Sequence, residues 1–433
     1  MVFLPHYPKN QISNHVKSSE ERLEMLRVIL QKLNNPQQNL PPVIHVAGTN
    51  GKGSICTFLA AILQQSNYKT HIYTSPHLHH CNERISVAGN LISDGNLHRN
   101  LEEVRAAAEG ENLTLFEALT LAAILAFSQN KADICIIETG MGGKFDATNL
   151  IDQKIATILS EISFDHQEFL GDQLGAIALH KAGIMRPRTP CFLAPQNVAA
   201  NLMIKITSLE IENELFSFDE DFTIEANSDG GFNFSFGEKE FNNLPKPTLA
   251  GNHQYLNASL AIATLSFLED FKIPQLAIEK GLKNAFLPSR LQKMSCKILN
   301  PEDEIYLDGA HNQSGFEALS EWICEKISQD EKSQKSKRNY LITGFSKGKA
   351  KAELFEPFKE IIDFICPVKV LGESNSENPK EVLCEVLKSE IEEALIAGNL
   401  EETIRFLVNL DQQNPCRIVI CGSFYLARDF KLI

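Results

Sequence analysis

VIHVAGTNGKGSICTFLAAIL, residues Val43–Leu63, carries the information on which the fold turns. An apolar run, a glycine-rich turn and a second apolar run follow without a break, the pattern of a strand, a phosphate-type loop and a helix. A standard phosphate loop reads GxxxxGK[ST]. Its backbone N–H groups wrap the phosphates, its lysine reaches the terminal ones, and its hydroxyl binds magnesium. Here AGTNGKGS keeps Lys52 and the hydroxyl of Ser54 but inserts Gly53 between them. That glycine frees more backbone to approach an anion. The competing reading is a plain glycine-rich turn with a solvated lysine. Strong apolar runs on both sides favour the nucleotide site.

Outward from this loop, strands and helices alternate. SSEERLEMLRVILQKL (18–33) has helical spacing and a capping start. THIYTSP, ADICIIETG and KIATILSEIS read as strands, and TLFEALTLAAILAFSQN (114–130) as a buried helix. Such alternation predicts a parallel sheet covered on both faces. Between about Phe216 and Pro247, apolar and polar residues alternate around an Asp-Gly-Gly turn, which predicts a small antiparallel subsheet. After the helical NHQYLNASLAIATLSFLEDF the α/β rhythm restarts with EIYLDGAHN. The expectation is therefore an α/β protein with two domains. A P-loop-type parallel-sheet domain spans 1–293 and a Rossmann-like α/β domain spans 294–433. The lysine-rich DEKSQKSKRN reads as a solvated loop without function.

Composition narrows the function. A net charge of −14 with dispersed lysines and arginines argues against nucleic acid as a partner. The ten cysteines form no CxxC pair and sit mostly in apolar runs, which predicts reduced, buried thiols. The amino terminus lacks a signal-peptide pattern, and no apolar run approaches the ~20 residues that span a bilayer. A cytoplasmic protein without a membrane partner is expected, acting as a monomer.

Further motifs occur in order along the chain: TSPHL (74–78), NERI (82–85), ETGMGGKFDATN (138–149), SFDH (163–166), KAGI (181–184), GNHQYLNA (251–258), LPSRL (287–291), LDGAHN (307–312) and GSFYL (422–426). Together with GTNGKGS, this series resembles the folylpolyglutamate synthase/dihydrofolate synthase family of the Mur ligase superfamily. The resemblance implies an ATP-dependent ligase. ATP would turn a carboxylate of dihydropteroate or a reduced folate into an acyl phosphate, and L-glutamate would displace the phosphate to give an amide. DATN and the LFE segment look like the bacterial bifunctional type, so both acceptors are expected. The alternatives are folylpolyglutamate synthesis only, a cell-wall peptide ligase of the same superfamily, or a nucleotide-binding homologue without ligase activity. Only 47 residues precede Gly48, fewer than the ~50 of a small domain, which disfavours the cell-wall enzyme with its leading UDP-sugar domain.

The resemblance also implies roles. Gly48, Thr49, Asn50, Gly51, Lys52, Gly53 and Ser54 would cradle ATP, with Asn257 at the adenine and Arg290 and Asp308 at the nucleotide. His311 would stand near the transferred phosphate. Two magnesium ions would be held by Ser54, Ser75, Glu138 and His166, and by Lys181 after carbamylation by CO2. Magnesium needs few protein oxygens, and a desolvated lysine deprotonates readily enough to react with CO2. Arg84, Phe116 and Asp146 would meet the pterin, Phe116 by stacking and Asp146 by accepting hydrogen bonds. A plain core role competes for Phe116. The chain departs from the family at Lys144, Phe145, Ser289 and Gln313, where arginine, leucine, glycine and proline are usual.

Overall fold

The computed structural model describes residues 18–371, 373, 375–411 and 413–430. The expectation of no signal peptide falls on residues outside these. The chain divides into two compact units. One runs up to Thr248 and resumes over Gln254–Phe286; the other comprises Leu249–His253 and the chain from Leu287 onward. The change of unit thus lies upstream of Met294, because Gln292–Met294 pairs with the second unit's sheet.

Eight strands build the first unit's main sheet: β1 (Val43–Ala47), β2 (Thr70–Tyr73), β3 (Ile85–Val87), β4 (Asn90–Leu91), β5 (Ile134–Glu138), β6 (Ala156–Leu159), β7 (Cys191–Leu193) and β8 (Leu215–Ser217). Their order is β4-β3-β2-β5-β1-β6-β7-β8. From β2 to β8 all pairings are parallel, and β3 and β4 add an antiparallel edge. Every residue of β1, β5 and β6 is buried, as expected of central parallel strands that read as continuous apolar runs. Ligands of such sheets bind beyond the carboxyl ends of the strands. The sheet order brings the loops after β2, β5, β1 and β6 side by side there.

Local capping explains where the flanking helices begin. Ser18 and Glu21 form a capping box on helix Ser19–Lys32, and Thr114 and Glu117 form one on helix Leu115–Ser128. Glu117 also takes both prongs of Arg22, with Nε at 2.8 Å, tying the two helices together. The predicted subsheet is a three-stranded meander of β9 (Phe222–Ala226), β10 (Phe232–Phe236) and β11 (Lys239–Leu244). Phe236 meets Phe192 of β7 and Phe216 of β8 edge-on, which joins the meander to the main sheet.

In the second unit β12 (Gln292–Met294), β13 (Glu304–Leu307), β14 (Arg338–Thr343), β15 (Phe364–Pro367) and β16 (Cys416–Cys421) lie in the order β12-β13-β16-β14-β15. All but β12 run parallel. The lysine-rich stretch is more than a solvated loop. Asp330, on the last turns of helix Gln313–Lys332, receives Arg417 Nη2 at 2.6 Å, and Lys337 pairs with Glu304 at 3.2 Å. Arg417 is wholly buried in β16, so its guanidinium needs Asp330 and also Glu304, 3.4 Å from Nε.

All ten cysteines are free thiols, most of them buried. Among the described residues no helix is long and apolar enough to cross a membrane.

Candidate active site

The loop after β1 is shaped by two glycines. Gly48 has φ +147°, and a Cβ there would fall 1.8 Å from Ser160 Oγ. Gly51 has φ +84° and caps helix Lys52–Gln65, where a Cβ would fall 2.4 Å from Asn257 Oδ1. Neither position accepts a side chain. Ser160, just after β6, donates to Asn50 O at 2.5 Å, and Thr49 Oγ1 donates to Ser163 O at 3.0 Å. The turn is therefore sewn to the segment after β6. The amide of Asn257 stands against the turn itself and donates to Gln254 at 3.1 Å. Ser54 is buried in the first turn of the helix.

Two lysines converge on this loop. Lys52 Nζ donates to Gly48 O and Thr49 O at 3.1 and 2.9 Å. Lys181 Nζ, 4 % exposed, donates to the same Gly48 O at 2.6 Å. Burial, reinforced by Lys52, pushes Lys181 down to about 7, against the pull of Asp165 and Asp146. An amine titrating near neutrality is available as a nucleophile.

Glu138, buried at the end of β5, accepts a hydrogen bond from Ser75 N at 3.0 Å, so these two predicted residues meet. The buried Cys56 thiol feels Glu138 and Lys52 with opposite sign, so the acid and the base both lie close to that turn of the helix. His166 opens helix Gln167–Leu170 at φ +50°, with Nε2 3.7 Å from Asp165 Oδ2. Asp165 in turn acts electrostatically on Lys181. Among the described residues no three of His, Cys, Asp and Glu cluster as a self-sufficient metal cage. A magnesium ion can use such a sparse donor set when phosphate oxygens and water complete its shell.

Arg84, Phe116 and Asp146 gather around Tyr73 and Gly140. A Cβ on Gly140 would strike the Phe116 ring at 2.5 Å, and Tyr73 packs on that ring with centroids 5.9 Å apart. Phe116 is only partly buried, so its ring is both a packing element and a surface. Arg84 Nε donates to His77 Nδ1 at 2.9 Å. Burial raises the Tyr73 phenol to about 12. Asp146 differs from its expected role. Oδ2 accepts from Gly140 N and Met141 N at 3.0 and 2.9 Å, and Oδ1 accepts from Thr148 N and Thr148 Oγ1 at 2.9 and 2.5 Å. Both oxygens already carry two donors, so the carboxylate first organises its own loop and has little capacity left for a pterin amine. The loop also packs on the Lys181 segment. A Cβ on Gly143 would fall 2.8 Å from Lys181 O, and Asn149 Nδ2 donates to Gly183 O at 3.0 Å.

In the second unit, Asp308 accepts from Leu291 N and Ala310 N at 2.9 and 2.8 Å. Arg290 lies over Gly309, where a Cβ would fall 2.1 Å from Nη1. His311 Nδ1 is 2.8 Å from Gly309 O. His253 stands within electrostatic reach of Asp308 and Arg290. Motif reasoning passes over Ser160, Tyr73, His253 and His45. For His45 there is a signal: one ionisable residue interrupting an apolar strand, VIHVA.

Residues 46–265 match the Mur ligase middle domain, and residues 292–432 match the dihydrofolate synthetase C-terminal domain. A probable dihydrofolate synthetase of Schizosaccharomyces pombe is 30% identical over 417 residues, which cover 94% of this chain and 96% of that protein. The structure of E. coli FolC in complex with DHPP and ADP superposes with a TM-score of 0.81 at 25% identity, over 94% of this chain and 92% of that one. A bifunctional folylpolyglutamate synthase/dihydrofolate synthase with Mn, AMPPNP and L-glutamate bound gives 0.82 at 26% identity, over 95% and 93%.

Proposed function

The chain belongs to the dihydrofolate synthase/folylpolyglutamate synthase family of the Mur ligases, and we propose that it joins L-glutamate to dihydropteroate and to reduced folates at the expense of ATP. The observation that carries this reading is the convergence at Gly48. A glycine turn receives both lysines on the Gly48 carbonyl beyond the carboxyl end of β1, and the buried Glu138 ends the neighbouring parallel strand β5. Such a site holds a triphosphate and offers positive charge where negative charge develops.

The acceptor's carboxylate attacks the γ-phosphorus of ATP, forming an acyl phosphate and releasing ADP. The α-amine of glutamate then attacks the acyl carbon, the C–O bond to phosphate breaks, and phosphate leaves as the amide forms. Lys52 neutralises the phosphates, and the loop amides from Gly48 to Ser54 orient them. Family resemblance gives Asn257 a role at the adenine, and gives His311, Arg290 and Asp308 of the second unit phosphate-directed roles. Ser54, Ser75, Glu138 and His166 supply the oxygen and nitrogen donors that would hold two magnesium ions, which when bound offset phosphate charge. As an ammonium, Lys181 would repel such ions. As a carbamate it would attract them, and its near-neutral titration supports that modification.

The test is ADP release from the purified protein with ATP, magnesium and glutamate, run with dihydropteroate, with tetrahydrofolate and with no acceptor. ADP that appears with both acceptors and not without them is expected. Release with tetrahydrofolate alone would limit the activity to folylpolyglutamate synthesis. Nucleotide binding without release would leave a non-catalytic homologue.

A further inference from the structure

His45 sits at the centre of β1, between β5 and β6, with no exposure to solvent. Its Nε2 is 2.8 Å from Thr148 Oγ1, and Thr148 Oγ1 is 2.5 Å from Asp146 Oδ1. A threonine hydroxyl has one proton. The carboxylate, an acceptor only, takes that proton, so Thr148 must accept from His45, and the imidazole carries its hydrogen on Nε2. Its Nδ1 is buried and has no hydrogen-bond partner among the described residues. Burial and the positive charges of Lys154 and Arg186 keep the ring neutral. A buried polar atom without a partner is costly, so a leucine of similar volume would suit this apolar strand better unless Nε2–H has a task.

The task is visible in what Asp146 holds. The same carboxylate binds Gly140 N and Met141 N, Gly140 supports the Phe116 ring, and Gly143 packs on the Lys181 backbone. We propose that His45 is a positioning residue for the acceptor substrate: through Thr148 it fixes the orientation of Asp146, and so the loop 140–149 that presents the pterin side of the site. This rests on the ligase reading above. His45 touches no substrate. It links the strand that leads into the phosphate loop to the loop that meets the acceptor.

The experiment is steady-state kinetics of the full chain, varying dihydropteroate and ATP separately. His45→Leu and Thr148→Val should each raise the acceptor KM on the order of tenfold, while the KM for ATP stays within about twofold. His45→Gln keeps a donor near the Nε2 position and should restore most of the acceptor KM. The double variant should be no worse than either single one, since both break one chain of hydrogen bonds. An unchanged acceptor KM in His45→Leu and Thr148→Val, an equal rise in both KM values, or a His45→Gln as impaired as His45→Leu overturns the proposal. Should His45→Leu fail to fold, the comparison of Thr148→Val with Thr148→Ser, which keeps the hydroxyl, decides the same question. Wild-type protein that releases no ADP with either acceptor removes the ligase reading, and this inference with it. Wild-type turnover with indifferent variants removes the inference alone.

Discussion

Lys52 and Lys181 share one acceptor, the carbonyl of Gly48, at 3.1 and 2.6 Å. Two ammonium groups at one oxygen repel each other, and the buried one yields first. Lys52 arrives on the helix that follows the loop, and Lys181 on the helix Leu174–Ala182.

Carbamate formation at Lys181 requires the neutral amine, whose fraction rises as pH passes about 7. At constant dissolved 13CO2, a carbamate carbon resonance should grow between pH 6 and 8 and be missing from Lys181→Met. The lysine also leaves a stability signature. Its native pKa lies below its unfolded value, so the unfolded chain binds more protons between about 7 and lysine's usual range, and stability rises with pH there. The Tm of wild type relative to Lys181→Met should therefore climb as pH is raised above 7. A flat difference would show that Lys181 titrates normally.

Lys52→Ala removes the phosphate-directed charge and should lower kcat/KM on the order of 10²–10³-fold, with the fold kept, because Lys52 is only part-buried. It also removes the like charge that depresses Lys181. The 13C carbamate signal should then appear at higher pH than in wild type; an unshifted onset would mean that Lys52 has no hold on Lys181.

Asp146→Asn places an NH2 group where two donors already converge, Thr148 N–H and O–H on one side or Gly140 and Met141 N–H on the other. Leaving those buried groups unsatisfied should cost about 2–3 kcal/mol and raise the acceptor KM. Urea unfolding checks the first effect. A variant as stable as wild type would show that the carboxylate does not organise the loop.

Ser289 stands in a backbone conformation that suits glycine. It has φ +58°, is fully buried, and its Oγ has no hydrogen-bond partner among the described residues. Ser289→Gly relieves both the left-handed strain and the orphan hydroxyl, and should stabilise the protein by about 1 kcal/mol. Calorimetry should show the transition of the unit that carries it rising by about 2–4 °C; a fall would mean that the hydroxyl has a partner in solution.

Local elements and the phosphate loop are legible from residue order. Glycine spacing, apolar runs and capping pairs such as Ser18 with Glu21 act over a few residues, and strands β1, β5 and β6 and the helices they lead to follow from them. Motif order also points to Lys52, Glu138, Ser75 and Lys181. Helix Leu400–Leu410, which Asn399 and Glu402 open as a capping box, carries the same kind of local signal. Which groups meet is settled by the folded chain alone. The strand order β2-β5-β1-β6 sets Ser75 beside Glu138 and Lys181 on Gly48. Charge repulsion between Lys52 and Lys181 and the meeting of Ser75 with Glu138 depend on distances across the sheet, and residue spacing along the chain carries no record of them.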